Sequence, residues 1–238
     1  MQLQARVTET QPRLSEARKA AAAPAARASQ QDPFDLLEQF GSRRTVRRGQ
    51  EIYAAGDPAD YCYRIVSGSV RTLGLDEEGR RQIAEFLLPG DLLGFDSLGT
   101  HHLSAEAVTD TVILCYPRRV VDSLAEQNGA LALRLRDLAM QQLRRAHEKM
   151  FLLGRKSAGE RIASFLLEMA ARAPGNGRGS VRLPMTRGDI ADHLGLTIET
   201  VSRNMAQLCR DGTIASVKSG IEIRDPEALA EFGTETRH

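Results

Sequence analysis

The sequence predicts an α+β fold in three consecutive parts: an N-terminal antiparallel β-roll, a long helix and a C-terminal winged helix-turn-helix. Short apolar runs separated by turn residues fill the stretch from about 34 to 117, whereas no Gly or Pro occurs between Gly129 and Gly154. The third part contains two short helical patterns that meet at a glycine and are followed by a hairpin. With 238 residues, 42% of them hydrophobic, the chain is long enough for two domains, each with its own core.

The β-roll is predicted from short apolar runs that turn residues interrupt at regular intervals. Gly56-Asp57-Pro58 and Pro89-Gly90-Asp91 mark two of these turns. The predicted strands cover 51–54, 61–66, 69–75, 81–87, 104–109 and 111–116. Short strands joined by tight turns are typical of an antiparallel barrel or roll.

A long amphipathic helix is predicted after the roll, following a short helix over 118–126. It runs from Asn128 for roughly 25 residues with apolar side chains at helical spacing. Such a helix either packs on its own roll or forms a parallel dimer seam, and its length favours the seam because it would overshoot a small roll. The expected interface residues are Leu131, Leu135, Leu138, Leu143, Ala146, Met150 and Leu153.

The helix-turn-helix is predicted from local capping signals. Thr186 can cap a first helix with Asp189 at its third position, Gly195 can form the turn, and Thr197 can cap a second helix. The residues expected to face inward from the second helix are Ile198, Val201, Met205 and Leu208. A hairpin over 216–223 completes the winged form of this motif.

The outer face of the second helix carries Glu199, Ser202 and Arg203, which are three and four residues apart and so share one side. Arg pairs with guanine, Glu accepts from cytosine and Ser contacts thymine, so the three side chains suit base reading in a major groove. The alternative is an ordinary solvated surface with an i,i+4 ion pair. The expected DNA-binding residues are Thr186, Arg187, Thr197, Glu199, Thr200, Ser202 and Arg203.

Composition sets the domain boundaries. Residues 1–31 are rich in Ala, Arg and Gln and are predicted to be a disordered tail, followed by the roll (32–126), the dimerisation helix (127–154) and the DNA-binding domain (155–238). The formal net charge is only +1, but residues 151–220 carry an excess of about four positive charges. Neither a signal peptide nor a membrane-spanning stretch is evident, so we expect a cytoplasmic protein.

The cysteines and histidines give little sign of a metal or a catalytic centre. Cys62 and Cys115 lie in apolar strands and are expected in the core, whereas Cys209 beside Arg210 is a candidate redox switch or a packing residue. The adjacent histidines His101-His102 would point to opposite faces of a strand and chelate a metal poorly. No catalytic motif is evident, so an enzyme is not expected.

The segment MTRGDIADHLGLTIETVSR and its E-x-x-S-R spacing on Glu199, Ser202 and Arg203 resemble the CRP/FNR superfamily of bacterial transcription regulators, in particular its FNR/FixK branch. The resemblance covers about residues 35–233. It implies a homodimer that acts mainly as an activator, binds double-stranded DNA with TTGAT-type palindromic half-sites, and controls genes of microaerobic, anaerobic or nitrogen-oxide metabolism. It also implies contact with RNA polymerase, with the loop 94–102 as a candidate activating surface.

Two departures from the superfamily bear on cofactors. Where its cyclic-nucleotide binders carry G-E-L and R-S, this sequence has Gly94-Phe95-Asp96 and Leu103-Ser104, which argues against cAMP. Residues 1–61 contain no cysteine, which argues against the [4Fe–4S] centre of FNR, so no cofactor is expected. The alternative function is an effector-gated regulator whose β-roll binds haem or another small molecule before DNA binding.

Overall fold

The structure is a computed structural model, and it describes residues 33–95, 99–172, 180–217 and 220–232. The predicted tail over 1–31, residues 96–98 of the candidate activating loop and the Lys218-Ser219 turn of the hairpin lie outside the described residues.

The first part is an antiparallel β-roll of two four-stranded sheets, ordered β1-β8-β3-β6 and β2-β7-β4-β5, which confirms the predicted fold class. After a short helix α1 (Asp35–Glu38), the strands are β1 (Ser42–Val46), β2 (Glu51–Tyr53), β3 (Tyr61–Ser67), β4 (Val70–Leu75), β5 (Arg81–Leu87), β6 (Leu92–Leu93), β7 (Ser104–Ala107) and β8 (Thr111–Pro117). Strands β1 and β6 are absent from the prediction. Strand β1 is an edge strand with four exposed residues in succession, so it lacks an apolar pattern, and the two buried leucines of β6 are too few to show a strand period.

Two helices follow the roll: α2 (Arg118–Gln127) and α3 (Gly129–Arg155), the latter about 40 Å long. The Asn128 side chain accepts the Leu131 amide at 3.0 Å and so caps the start of α3. Leu131 itself is completely buried in its own chain, in a cluster with Phe34 and Tyr116. This corrects the expectation that Leu131 faces a partner, because the first turn of α3 packs on the roll.

Beyond its first turn, α3 exposes a set of apolar side chains that differs from the expected interface residues. Leu135 and Leu138 are half-buried against the same cluster as Leu131, so the roll already covers part of the expected interface. The large apolar side chains that α3 leaves exposed are Leu133, Met140, Leu143, Met150 and Phe151. Of the remaining expected interface residues, Ala146 is exposed and Leu153 is half-buried.

The C-terminal part is a winged helix-turn-helix. Its elements are α4 (Ala158–Arg172), β9 (Ser180–Val181), α5 (Arg187–Leu194), α6 (Ile198–Arg210), β10 (Ile214–Val217), β11 (Gly220–Ile223) and α7 (Pro226–Glu231). Strand β9 adds to the predicted hairpin to give a three-stranded sheet ordered β10-β11-β9. Its apolar core continues into the roll through Leu73, Ile83 and Phe86 of β4 and β5. No helix in the described part of the chain is long and apolar enough to cross a membrane.

Candidate DNA-binding surface

Helix α5 begins with a complete capping box. The Thr186 hydroxyl accepts the Asp189 amide at 3.1 Å, and the Asp189 carboxylate accepts the Thr186 amide at 3.0 Å. Arg187 follows the cap and is exposed, as is Thr186. The start of α5 therefore presents a positive side chain beside the positive end of a helix dipole, which is an arrangement that suits a phosphate.

The turn between the two helices depends on Gly195. Its backbone is left-handed, with φ 62° and ψ 45°, a conformation that a side chain would strain. The Leu196 amide donates to the Ala191 carbonyl at 3.0 Å and closes the end of α5. The Arg161 guanidinium donates to the carbonyls of Leu194 at 3.0 Å and Leu153 at 2.7 Å, so it joins the end of α5 to the end of α3.

Helix α6 starts at a second cap and is mounted on a buried face. The Thr197 hydroxyl accepts the Thr200 amide at 3.2 Å and lies 3.1 Å from the Thr200 hydroxyl. The side chains that α6 buries are Val201, Met205 and Leu208. Ile198 is 53% exposed and not inward as predicted, because it lies at the first residue of the helix, where it overhangs the start of α5 near Gly188.

The face of α6 opposite the core carries the predicted base-reading residues. Glu199 and Arg203 are exposed, and Ser202 is half-buried between them. No ion pair joins Glu199 to Arg203 in the part of the chain that the structure describes. The i,i+4 ion pair of the alternative interpretation is therefore not formed, and the Glu199 carboxylate and the Arg203 guanidinium both remain available to a ligand.

Comparison of the whole chain with known proteins identifies the family to which it belongs. A model of the Crp-like helix-turn-helix domain matches residues 160–232, and a model of the cyclic nucleotide-binding domain matches residues 43–128. The nitrogen fixation regulation protein FixK of Rhizobium meliloti (strain 1021) is 43% identical over 186 residues, covering 78% of this chain and 84% of that protein. The chain belongs to the CRP/FNR family.

Two further relatives support the same assignment for this CRP/FNR protein. The structure of FixK2 from Bradyrhizobium japonicum is 42% identical with a TM-score of 0.75, covering 79% of this chain and 95% of that chain. The fumarate and nitrate reduction regulatory protein of Escherichia coli (strain K12) is 34% identical over 210 residues, covering 86% of this chain and 84% of that protein. The protein is therefore a FixK-type CRP/FNR transcription regulator with a helix-turn-helix DNA-binding domain.

The interior of the roll in this CRP/FNR regulator contains a stack of buried aromatic rings. The Tyr53 ring stacks on Tyr63 with centroids 5.6 Å apart and on His101 with centroids 3.6 Å apart, and all three side chains are buried. The Ser104 hydroxyl accepts the Ala55 amide at 2.9 Å, so it is already engaged. At the position where the resemblance expects a phosphate-binding arginine stands Leu103, which leaves a phosphate without its cation.

The three cysteines lie in different environments. Cys62 and Cys115 are buried as predicted, whereas Cys209 is exposed near the end of α6, and its redox role stays a prediction. No group of three or more metal-ligating His, Cys, Asp or Glu side chains occurs among the described residues.

His193, on the back of α5, is a buried group of unusual electrostatics. Its ring lies between Phe86 and Phe165, with centroid separations of 5.1 and 5.7 Å. Its Nδ1 is 3.1 Å from the Ile83 carbonyl. Lys149 Nζ lies 2.7 Å from Nδ1 and 2.9 Å from Nε2, and it donates to the His193 carbonyl at 2.5 Å. Burial, followed by the Lys149 charge, lowers the pKa of His193 to about 3. Burial also lowers the pKa of Lys149 to about 7.

Two arginines of the roll, Arg71 on β4 and Arg81 on β5, also contact the helix pair. Both reach the Asp189 carboxylate, at 2.7 and 2.9 Å. No pattern in the sequence indicates these contacts, because they join residues 118 and 108 positions apart in the chain. The one local signal is Asp189 itself, since a capping carboxylate that is also buried needs a cation close by.

Proposed function

We propose that this regulator is a homodimer that reads a TTGAT-type palindrome through Glu199, Ser202 and Arg203 and acts mainly as an activator. The observation that carries the proposal is the exposure of Glu199 and Arg203, which do not pair with each other, on the open face of a capped α6 whose other face is buried. Residues in the first half of a recognition helix are those that reach base edges in a major groove.

The chemistry of the three side chains supports half-sites that contain T, G and the C opposite that G. Arg203 can donate two hydrogen bonds to guanine O6 and N7, and Glu199 can accept from cytosine N4. Ser202 can touch a thymine methyl group or accept a hydrogen bond. Because the three lie within one and a half turns, they would read neighbouring base pairs.

The other predicted DNA-binding residues suit the phosphate backbone. Arg187 is exposed at the start of α5, where amides and helix dipole both favour an anion. Thr186, Thr197 and Thr200 use their hydroxyls mainly within the two caps. We therefore expect these three threonines to stabilise the helix starts and to contact phosphates, and we do not expect them to contact bases.

The dimer seam is proposed along the exposed apolar line of α3. Leu133, Met140, Leu143 and Met150 are 53%, 55%, 49% and 60% exposed, and they are seven, three and seven residues apart. This is the spacing of a and d positions in a two-stranded coiled coil, with His147 at the next a position. An apolar stripe of this length on a surface helix indicates a partner helix of the same kind.

The genes controlled are proposed from the relatives. The Rhizobium meliloti relative is a nitrogen fixation regulation protein, and the Escherichia coli relative is a fumarate and nitrate reduction regulatory protein. We infer a regulon of low-oxygen and nitrogen metabolism. RNA polymerase would be the second macromolecular partner, with the loop 94–102 as the contact surface.

The filled interior of the roll argues against the effector-gated alternative, in which haem or another small molecule enters the roll first. Tyr53 and His101 are buried and stacked on each other with centroids 3.6 Å apart, so this part of the interior is already filled by side chains. We therefore expect colourless, ligand-free protein to bind DNA tightly, and a Soret band in the purified protein would contradict this expectation.

The test measures fluorescence anisotropy of purified protein on a duplex with two TTGAT half-sites and on a duplex of the same composition in scrambled order, at one salt concentration. We expect binding about 1,000-fold tighter to the palindrome. Equal affinity for the two duplexes would overturn the base-reading proposal.

Sedimentation of a matched pair of variants tests the seam. Leu143→Lys should give monomers that lose most affinity for the palindrome, because it places a charge in the apolar line. Leu36→Lys changes a comparably exposed leucine on α1, 41% against 49%, and should leave the dimer intact. A dimer that survives Leu143→Lys would contradict the proposed seam.

A further inference from the structure

Helix α5 is held from outside by a cluster of charged and polar residues that belongs partly to the roll. We call it the junction cluster: Arg71, Arg81, Gln82, Asp189 and Asp192. The first three residues lie on strands β4 and β5, and the two aspartates lie on α5. The cluster is separate from the exposed face of α6 and from the proposed dimer seam.

Asp189 is the centre of the cluster, and its carboxylate serves two structures at once. One oxygen, Oδ2, accepts the Thr186 amide and completes the cap of α5. The other, Oδ1, accepts hydrogen bonds from Arg71 Nη1 at 2.7 Å and from Arg81 Nη2 at 2.9 Å. The Asp189 side chain is only 5% exposed, so these charge-assisted bonds are shielded from solvent.

Two further residue pairs connect the roll to Asp192 of α5. Arg81 Nε donates to Asp192 Oδ2 at 2.8 Å, and Gln82 Nε2 donates to the Asp192 carbonyl at 2.6 Å. On its other side, Arg71 donates from Nε and Nη2 to Glu106 Oε2 at 3.0 and 2.6 Å. Arg71 is thereby fixed to the sheet of the roll before it reaches α5.

The position of α5 determines the position of α6. The two helices share one apolar core through Ile190, Leu194, Val201 and Leu208, joined by the tight Gly195 turn. A packed core of this kind moves as a unit, so a shift of α5 against the roll carries the base-reading face with it.

We propose that Arg71 and Arg81 are positioning residues for DNA recognition. From the β4–β5 hairpin they set the orientation of the α5–α6 pair relative to the roll, and hence the separation of the two recognition helices in the dimer. The inference rests on the proposed function, because half-site spacing has meaning only for a dimer that reads a palindrome.

The experiment compares Arg81→Gln with Arg80→Gln in the full chain. Both variants remove one positive charge from the same hairpin, but Arg80 is 74% exposed and, among the described residues, forms ion pairs with Asp76 and Glu78 alone. Binding is measured on the palindrome, on palindromes with one base pair added to or removed from the spacer, and on a duplex with one half-site scrambled.

If the junction cluster orients the α5–α6 pair, weakening it should give a specific pattern of binding. Arg81→Gln should lose about 5- to 20-fold affinity for the palindrome of native spacing, within the usual range of couplings between sites. It should bind the single half-site nearly as wild type does, and its preference for the native spacer should shrink. Arg80→Gln should match wild type on every duplex.

A loss that is equal on the palindrome and the single half-site would overturn the proposal, as would an unchanged spacer preference. If Arg81→Gln proves too unstable to assay, Asp192→Asn removes one of the two ion pairs of Arg81 from the α5 side and leaves Asp189 with both arginines. It should show the same pattern at smaller amplitude. If the wild-type protein does not prefer the palindrome over the scrambled duplex, that result contradicts the proposed function and not the positioning role of Arg71 and Arg81.

Discussion

The two sides of the α5–α6 pair differ in the exposure and the pairing of their titratable side chains. On the outer side, Glu199 and Arg203 lie exposed and do not pair with each other. On the inner side, Asp189 and His193 are buried and hydrogen-bonded to residues of the roll or of α3. Under the proposed function, the outer side determines specificity and the inner side determines orientation, so changes on the two sides should affect different measurements.

The largest effect is expected from the inner side. Asp189→Ala removes the carboxylate half of the α5 capping box and leaves Arg71 and Arg81 without their shared partner, which should lower the free energy of unfolding by about 3–5 kcal/mol. Urea unfolding followed by circular dichroism measures it. Glu148→Ala breaks an exposed i,i+4 pair with Arg144 and should cost about 0.5 kcal/mol or less. Similar losses in the free energy of unfolding for the two variants would mean that the buried ion pairs of Asp189 contribute no more than an exposed pair.

The second effect is a loss of stability in acid. The unfolded chain binds a proton at His193 near pH 6.5, whereas the folded protein binds it only near pH 3, so stability falls as the pH drops through that range. The loss at pH 4 should be on the order of 3 kcal/mol. His193→Gln should flatten the pH profile between 6.5 and 4, and His102→Gln, at an exposed histidine of the roll away from α3, should leave it unchanged. An equally steep profile in His193→Gln would assign the acid sensitivity to other groups.

The sequence indicates the outer side far better than the inner side. Both caps and the Gly195 turn depend on residues within four positions of one another, so local patterns suffice to predict them. The outward direction of Glu199 and Arg203 follows from the buried face of α6. The junction cluster instead depends on the approach of β4 and β5 to α5, which no local pattern encodes.

The same reasoning explains the two apolar residues for which the prediction was wrong. Leu131 fits a heptad line as well as Leu133 does, and only the packing of α3 on α1 and β8 determines which of them is covered. Ile198 has the helical spacing of a core residue, but the buried face of α6 begins only at Val201, one turn further along. Periodicity therefore predicts that a helix has a buried side, whereas the neighbouring elements decide which residues lie on it.

The third effect belongs to the outer side and should leave stability unchanged. Arg203→Ala should weaken binding to the palindrome by about 1–3 kcal/mol and relax selectivity at one guanine. The measurement is anisotropy on duplexes with each base of the half-site replaced in turn. Arg210→Ala removes the same charge from the far end of α6 and should weaken all duplexes alike. If Arg203→Ala still rejected every replacement as wild type does, the guanine contact would have to lie elsewhere.

The smallest effect tests whether the outer side is itself divided between base reading and phosphate binding. Arg187 lies at the start of α5, ahead of the base-reading face, so Arg187→Ala should weaken palindromic and scrambled duplexes by the same factor. The dependence of log affinity on log salt should become shallower by about 0.9 for each phosphate that the variant no longer neutralises. Arg203→Ala, measured in parallel, should change base selectivity more than the salt dependence. A selective loss in Arg187→Ala would extend the base-reading face from α6 back onto α5, because only a side chain that reaches a base edge can distinguish the two duplexes.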